Sequence, residues 1–171
     1  MATTVSAAVA GGQFLTFEID GEQYAVDVAR SQTVLEHRKL TRIPRMPDYV
    51  RGVIDFRGSA LPVIDLRRKL GLPEMEPDTA FMIVVLEIPF GGEHLTLGVT
   101  ADTVKEVLRI ETEAIEEAPS IGTGIDTAFI DGIGKRDDRF VIILNPQRLF
   151  RDDELAACVS SGAMQAFENN E

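Results

Sequence analysis

The chain alternates short apolar runs with polar turns, a pattern that predicts β-strands. The clearest runs lie at residues 50–54 and 60–64, and residues 55–58 between them are typical of a tight turn. This turn contains Arg57, so we expect a β-hairpin with an exposed arginine near its tip. Pro62 cannot donate a hydrogen bond to a neighbouring strand, so the second strand should begin at this proline or lie at a sheet edge.

The same criteria predict further strands along the rest of the sequence. They lie at residues 13–19, 22–28, 81–88, 93–99, 104–108, 129–133 and 140–144, with a short strand or a turn at 31–36. Asp20 and Gly21, between the first two strands, favour a hairpin turn. We expect one helical turn at residues 67–71, an acidic loop or short helix at 111–117, and a C-terminal helix and tail at 151–171.

An internal repeat relates the two halves of the chain at a step of 80 residues. Gly52 corresponds to Gly132, and both lie in apolar surroundings. The same step links the following pairs: Leu61 with Val141, Val63 with Ile143, Asp65 with Asn145, Arg68 with Arg148, and Leu70 with Phe150. Agreement over about twenty positions without a gap indicates that one structural unit occurs twice.

Each half contains about five short strands with turns every ~8–12 residues, a spacing typical of barrels and sandwiches. A closed barrel leaves no exposed strand edge, so we predict an all-β fold of two small barrels with a groove between them. The first barrel should span about residues 13–71 and the second about 80–150, separated by the polar, proline-rich residues 72–78. Residues 1–12 are expected to form a mobile N-terminal arm.

The charge and composition argue against several classes of protein. The net charge of −11 and the pI of about 4.6 disfavour nucleic acid and an anionic membrane surface as partners, because both need clustered Lys and Arg. The single Cys158 fits a reducing compartment. No apolar run reaches the ~20 residues of a membrane span, and residues 1–12 lack the features of a signal peptide. We therefore expect a cytoplasmic protein without direct membrane insertion.

Candidate catalytic and metal-binding residues are few. His37 and His94 occupy unrelated positions in the repeat, and neither belongs to a cluster with the spacing of zinc ligands. Cys158 has no candidate base nearby in the sequence. Residues 122–124 lack the lysine and the following helix of a phosphate-binding loop. We therefore predict no enzymatic activity, no metal site and no cofactor.

Two segments resemble the signature of CheW-like domains. The first is RGVIDFRG at residues 51–58 followed by LPVIDLR at 61–67, and the second is GIGKRDDRFVIIL at 132–144. The resemblance extends over about residues 13–150, and its motifs are long and ordered. It implies two five-stranded SH3-like barrels that exchange strands within a single CheW-like domain, with no chemistry of its own.

The resemblance also implies an adaptor of bacterial chemosensory arrays. One face is expected to dock on the regulatory domain of the histidine kinase CheA, and the groove between the barrels to bind the helical tips of methyl-accepting chemoreceptors. The protein would then be recruited from the cytoplasm to receptor arrays at the inner membrane, and nucleic acid would not be a partner. An alternative is an adaptor of a non-motility chemosensory pathway with altered receptor specificity.

Candidate residues for each partner follow from the same resemblance. Receptor binding is expected of Ser31, Thr33, Gly52, Asp55, Arg57, Val99, Val104 and Glu106, and kinase binding of Leu40, Arg42, Ile43 and Arg51. Arg57 falls on the arginine of the family's Asn/Asp-Leu/Phe-Arg-Gly motif. Thr33 departs from the family pattern, which often has at this position a glutamate linked to receptor binding. Either the receptor contact differs in this protein or Glu36 supplies the missing charge.

Several of these residues have a plainer alternative role. Arg57 is either an interface anchor or a solvated surface side chain, and Asp55 either pairs with Arg57 or caps the turn. Val99 and Val104 either line the groove or fill a barrel core. The basic residues within 38–45 form either a patch for an acidic partner or a solvated face.

Overall fold

The computed structural model describes residues 11–36, 38–76, 79–117 and 129–150. Most of the regular structure in these ranges is strand: β1 Gly12–Ile19, β2 Glu22–Asp27, β3 Ser31–Leu35, β4 Val50–Phe56, β5 Ser59–Ile64, β6 Met82–Phe90, β7 Glu93–Ala101, β8 Thr103–Ile110, β9 Ile115–Glu116, β10 Ile130–Arg136 and β11 Arg139–Leu144. Short helices α1 Leu66–Leu70 and α2 Pro146–Leu149 follow β5 and β11, and 3-10 turns occupy Val28–Arg30 and Thr112–Ala114. The predicted all-β fold is confirmed.

The strands form two sheets, and each sheet combines strands from both halves of the chain. The six-stranded sheet has the order β8-β1-β2-β11-β10-β9, and the five-stranded sheet has the order β3-β6-β7-β5-β4. The β1–β2 hairpin therefore lies among strands of the second half, and the β6–β7 hairpin lies among strands of the first. One side of each exchanged hairpin pairs in parallel, β2 with β11 and β7 with β5. The other side pairs antiparallel, β1 with β8 and β6 with β3.

The repeat seen in the sequence is also present in the backbone. Gly52 lies at a register irregularity between β4 and β5, and Gly132 lies at the corresponding irregularity between β10 and β11. Asp65 caps α1 and Asn145 caps α2 through their side chains. In each copy the N–H of the cap residue also donates to the carbonyl sixteen residues earlier, at 2.7 and 3.0 Å. Both halves thus build the same hairpin followed by the same capped helical turn.

The largest core cluster takes side chains from both sheets. Phe17 and Tyr24 of the six-stranded sheet are buried in it together with Ile64, Leu86 and Leu97 of the five-stranded sheet. The Phe17 and Tyr24 rings stack with their centroids 6.3 Å apart. Because the burial of each such side chain contributes about 1.5–3 kcal/mol, this shared cluster holds the two sheets together.

Pro62 lies inside a strand, which corrects the sequence prediction. β5 begins at Ser59 and lies between β7 and β4 rather than at an edge. In the pairing of β5 with β4, the residue opposite Pro62 is Val53. The N–H and C=O of Val53 form hydrogen bonds with Thr41 and not with Pro62. On the other side, the parallel ladder with β7 begins only at Val63. The strand accommodates Pro62 because neither neighbour needs the N–H that proline lacks.

The acidic residues 111–117 form a 3-10 turn followed by the two-residue strand β9, which pairs with β10 and gives one sheet its sixth strand. The N-terminal arm is predicted over residues 1–12, but β1 begins at Gly12, and residues 1–10 lie outside the described residues. The predicted C-terminal helix and tail at 151–171 and the positions of His37 and Cys158 also lie outside them. Among the residues that are described, no helix has the length and apolar character needed to cross a membrane.

Candidate protein-interaction surfaces

The tip of the β4–β5 hairpin exposes Arg57 to solvent. The Oδ1 atom of Asp55 accepts a hydrogen bond from the N–H of Gly58 at 3.0 Å, so Asp55 caps the turn. Arg57 adopts a φ of +56°, and its Cζ atom lies 4.7 Å from the centroid of the Phe56 ring. The capped turn and the ring contact restrict the position of an otherwise exposed guanidinium.

A shallow pocket of about 270 Å³ lies beside this arginine. We name it the hairpin pocket, and its lining residues are Gln32, Phe56, Arg57, Ser59, Ala60, Leu61 and Thr96. Gln32 of β3 donates a hydrogen bond from Nε2 to Oε2 of Glu87 at 3.2 Å. The sequence prediction missed Gln32 and Thr96, because no motif marks them and only the folded chain brings β3 and β7 beside the hairpin tip.

The other receptor candidates are distributed over both sheets. Ser31 and Thr33 lie half-buried in β3, where the Ser31 hydroxyl donates to the Val28 carbonyl at 3.3 Å. Val104 and Glu106 lie on β8 of the six-stranded sheet. Val104 is half-buried against the main core cluster, whereas Glu106 is exposed. The receptor candidates therefore do not form one continuous strand face.

Val99 fills the core, and its assignment to a receptor groove is corrected. It lies on β7 between Val84 of β6 and Ile64 of β5. Its side chain belongs to the main core cluster with 1% of its surface exposed. A side chain with so little exposed surface cannot contact a partner, so the core alternative holds for this residue.

Gly52 allows the segment before β4 to lie directly against that strand. Thr41 and Val53 exchange two backbone hydrogen bonds, of 2.9 and 2.8 Å. Gly52 is buried with a φ of +153°, and a Cβ atom there would lie 2.8 Å from the Thr41 carbonyl oxygen and 3.0 Å from the Leu40 Cβ. The role of Gly52 is therefore to position residues 40–43 rather than to offer a side chain to a partner.

The four kinase candidates border one cleft at the start of β4. We name it the basic cleft, and its two adjoining parts have volumes of about 600 and 430 Å³. Arg42 and Arg51 line both parts, whereas Leu40 lines the smaller part and Ile43 the larger. The structure thus brings together all four residues that the sequence assigned to this partner.

Two arginines of the basic cleft are already neutralised by acidic neighbours. Arg51 lies 3.5 Å from the Asp65 carboxylate, and Arg68 lies 2.5 Å from the Glu74 carboxylate. The Arg51 Cζ atom also lies 5.1 Å from the centroid of the Phe81 ring. Four further cations of the cleft are exposed and have no ion pair within the described residues: Arg38, Lys39, Arg42 and Arg45.

Reactive chemistry is sparse in the described part of the chain. It contains no group of three His, Cys, Asp or Glu side chains that could hold a metal ion. Burial raises the pKa of Tyr24 to about 12, with smaller contributions from Glu22 and Asp20 that Arg67 opposes. Because Tyr24 is 1% exposed in the core, this shift reflects packing rather than a reactive site.

Several known proteins are similar to this chain in sequence and fold. A family model described as the CheW-like domain matches residues 13–154. The chemotaxis protein CheW of Klebsiella aerogenes is 30% identical over 146 residues, which cover 85% of this chain and 86% of the relative. The chemotaxis protein CheW of Helicobacter pylori is 31% identical over 143 residues, which cover 82% of each chain.

The architecture leads to the same family. The crystal structure of the scaffolding protein TtCheW from Thermoanaerobacter tengcongensis matches with a TM-score of 0.73 and 33% sequence identity, covering 84% of this chain and 95% of that one. The chain therefore belongs to the CheW-like domain family. Its two sheets are consistent with the two SH3-like barrels expected from the sequence. CheW-like domains are non-catalytic, so family membership confirms that the protein is not an enzyme.

Proposed function

We propose that this protein is a chemotaxis coupling protein that links chemoreceptor tips to a CheA-type histidine kinase. Both relatives described above carry the name chemotaxis protein CheW, and the similar crystal structure is of a scaffolding protein. In this proposal the protein is recruited to receptor arrays at the inner membrane through its protein partners.

One strand carries both candidate surfaces, and this observation supports a coupling role. The hairpin pocket lies at the Phe56 end of β4, the basic cleft lies at the Val50 end, and the two share no lining residue. A strand rises about 3.3 Å per residue, so the two ends are about 20 Å apart. The two surfaces are therefore separate, and in this proposal β4 sets the relative position of the two partners.

We assign the hairpin pocket to the receptor and the basic cleft to the kinase. Arg57 suits an anchor role because the planar guanidinium can bind a carboxylate through two parallel hydrogen bonds. Its position is already restricted by the capped turn, so little conformational freedom is lost on binding. The kinase candidates Leu40 and Ile43 add apolar contact area at the edges of the basic cleft.

Arg57→Ala tests the receptor assignment. If Arg57 is an anchor, truncation should cost about 2 kcal/mol or more, a roughly 30-fold loss of receptor affinity. A solvated surface arginine would cost about 0.2–1 kcal/mol, less than a roughly fivefold loss. The measurement is co-sedimentation with receptor-containing membranes, together with kinase activity in the reconstituted mixture.

Arg139→Ala is the matched control, since Arg139 is exposed in the corresponding β10–β11 hairpin. Circular dichroism should show that both variants stay folded. Receptor recruitment and kinase control that respond equally to the two substitutions would reject the role assigned to Arg57.

A second candidate function is an adaptor in a non-motility chemosensory pathway with altered receptor specificity. Thr33 favours it, because this uncharged, half-buried residue occupies a position where the family often has glutamate. The candidate predicts that Thr33→Glu improves binding to receptors of motility arrays, while Glu36→Gln has little effect. Affinity capture from cells that contain several chemosensory pathways tests both functions, because failure to recover any CheA-type kinase would remove the coupling role altogether.

A further inference from the structure

The charge of this protein is divided unevenly along the chain. Nine of its 17 lysines and arginines, but only three of its 28 acidic residues, lie within residues 38–69. This segment therefore carries a net charge of +6 in a protein whose total is −11. Residues 38–51 of this segment supply much of the lining of the basic cleft. A local surplus of one sign attracts a partner of the opposite sign even when the whole molecule does not.

The acidic residues of the basic cleft offset its cations only in part. Asp65 and Glu74 are engaged by Arg51 and Arg68, as described above. The remaining acidic residues that line the cleft are Asp48 and Glu76, against the exposed cations Arg38, Lys39, Arg42 and Arg45. The cleft therefore keeps a net positive charge after its internal ion pairs are formed.

The backbone next to Arg42 and Arg45 in the basic cleft is constrained. The two hydrogen bonds between Thr41 and Val53 fix the chain next to Arg42. Pro44 precedes Arg45, and Arg45 itself adopts a φ of +68°, which is unfavourable for a residue with a side chain. A site that is ordered before binding loses less conformational entropy when it binds.

We propose that the basic cleft binds an acidic segment of the kinase regulatory domain, and that Arg42 and Arg45 select among kinases by charge. The inference rests on the proposed function, because the kinase candidates border the same cleft. Guanidinium groups bind carboxylates through two parallel hydrogen bonds, and Ile43, Pro44 and Met46 provide apolar contact beside them. Acidic residues of the kinase segment meet these arginines, and a kinase with a neutral or basic segment binds weakly.

The double substitution Arg42→Glu with Arg45→Glu tests the proposal. The matched control is Lys135→Glu with Arg139→Glu, which changes the net charge equally at an exposed turn away from the cleft. Calorimetry with the purified kinase regulatory domain should give at least a ~10-fold loss of affinity for the cleft variant and less than about twofold for the control. The affinity of the wild type should fall between about 50 and 300 mM salt, and that of the cleft variant should depend less on salt.

The other outcomes would reject either the proposed function or the charge-selecting role of the cleft. If the wild type does not bind the kinase domain, the proposed function fails. If it binds and both variants lose affinity equally, or neither does, the coupling role stands and the charge-selecting cleft is rejected. A second copy of this chain is the alternative occupant of the cleft, and sedimentation velocity tests for it. Self-association of the wild type that is lost in the cleft variant would assign the cleft to that second copy. Arg42→Gln with Arg45→Gln repeats the test without charge reversal, and thermal melting monitored by circular dichroism verifies folding.

Discussion

Gly52 shapes the basic cleft although it has no side chain. Gly52→Ala should lower the free energy of unfolding by about 2–4 kcal/mol, because the new Cβ would meet the Thr41 carbonyl oxygen and a φ of +153° disfavours any side chain. Gly58→Ala is the control, since Gly58 has a φ of +84° but open space around it, and should cost about 1 kcal/mol. Urea unfolding measures both. Equal losses would show that the close approach of Thr41 does not require glycine.

Tyr24 makes the stability of the fold sensitive to high pH. Its pKa is about 12 in the folded protein against 10.0 as the reference value, so the folded state holds the phenolic proton more tightly. The corresponding stability is fully present below pH 10 and is lost as the pH rises towards 12. At pH 11 the free energy of unfolding should be lower by about 1.4 kcal/mol through this residue.

Tyr24→Phe should remove this contribution, whereas Tyr49→Phe should retain it because Tyr24 is still present. The measurement is the change in the free energy of unfolding between pH 9 and pH 11 for the wild type and both variants. A loss of the same size in Tyr24→Phe and in the wild type would mean that Tyr24 titrates like a solvated tyrosine.

Local sequence chemistry predicted the hairpin tip but not the burial of single side chains. The tight turn correctly placed Arg57 at an exposed position, and the turn-capping alternative for Asp55 matches its hydrogen bond to Gly58. Val99 was assigned to a groove, yet it is buried. A valine in a strand looks the same in the sequence whether it faces the core or a cleft, because the difference lies in distant strands.

At the scale of elements, α1 shows how three consecutive basic residues acquire different roles. Arg67 is buried and donates hydrogen bonds to the Pro73 carbonyl and to Oδ2 of Asp102, both at 2.8 Å. Arg68 forms an exposed ion pair, and Lys69 lies over aromatic rings. The sequence predicted the helical turn from Gly71 and Pro73, which stop it. The sequence could not show which of these cations would be buried, because Asp102, at the end of β7, approaches Arg67 only in the folded chain.

Arg67→Met should lower the free energy of unfolding by about 2–4 kcal/mol, because Asp102 would lose its ion-pair partner and so would the nearby Asp20, whose Oδ1 lies 3.9 Å from the guanidinium. Arg68→Met is the neighbouring control. It removes an ion pair whose two side chains are exposed and should cost less than about 1 kcal/mol. Thermal or urea unfolding distinguishes the two. A small effect for Arg67→Met would mean that its polar contacts do not stabilise the junction between the β1–β2 turn and the end of β7.

At the scale of the whole molecule, the repeat predicted two similar units but did not specify the strand partners. The parallel pairing of β2 with β11 joins Gln23 to Val141, across most of the chain. The alternation of apolar residues in a strand does not identify such a distant neighbour. The exchange of hairpins in the sequence prediction came from the family resemblance and not from the hydrophobic pattern.

Separate expression of the two halves should therefore fail to give folded proteins. A fragment of residues 11–74 keeps β1 and β2 but lacks β8 and β11, their partners in the six-stranded sheet. We expect that fragment and the complementary fragment 75–150 to show no cooperative unfolding alone, and to recover it when refolded together. Circular dichroism during urea titration is the measurement. A cooperative transition in either fragment alone would show that one half is an independent folding unit.

The exchanged hairpins also point to an evolutionary origin of this fold by gene duplication. A polypeptide with a single copy, made of strands equivalent to β1 to β5, would leave its first hairpin unpaired if it folded alone. Two such polypeptides could exchange these hairpins and so complete both sheets as a symmetric dimer. Fusing the two copies end to end would preserve the reciprocal arrangement and free the two halves to diverge, so that one contact surface no longer has to be a copy of the other.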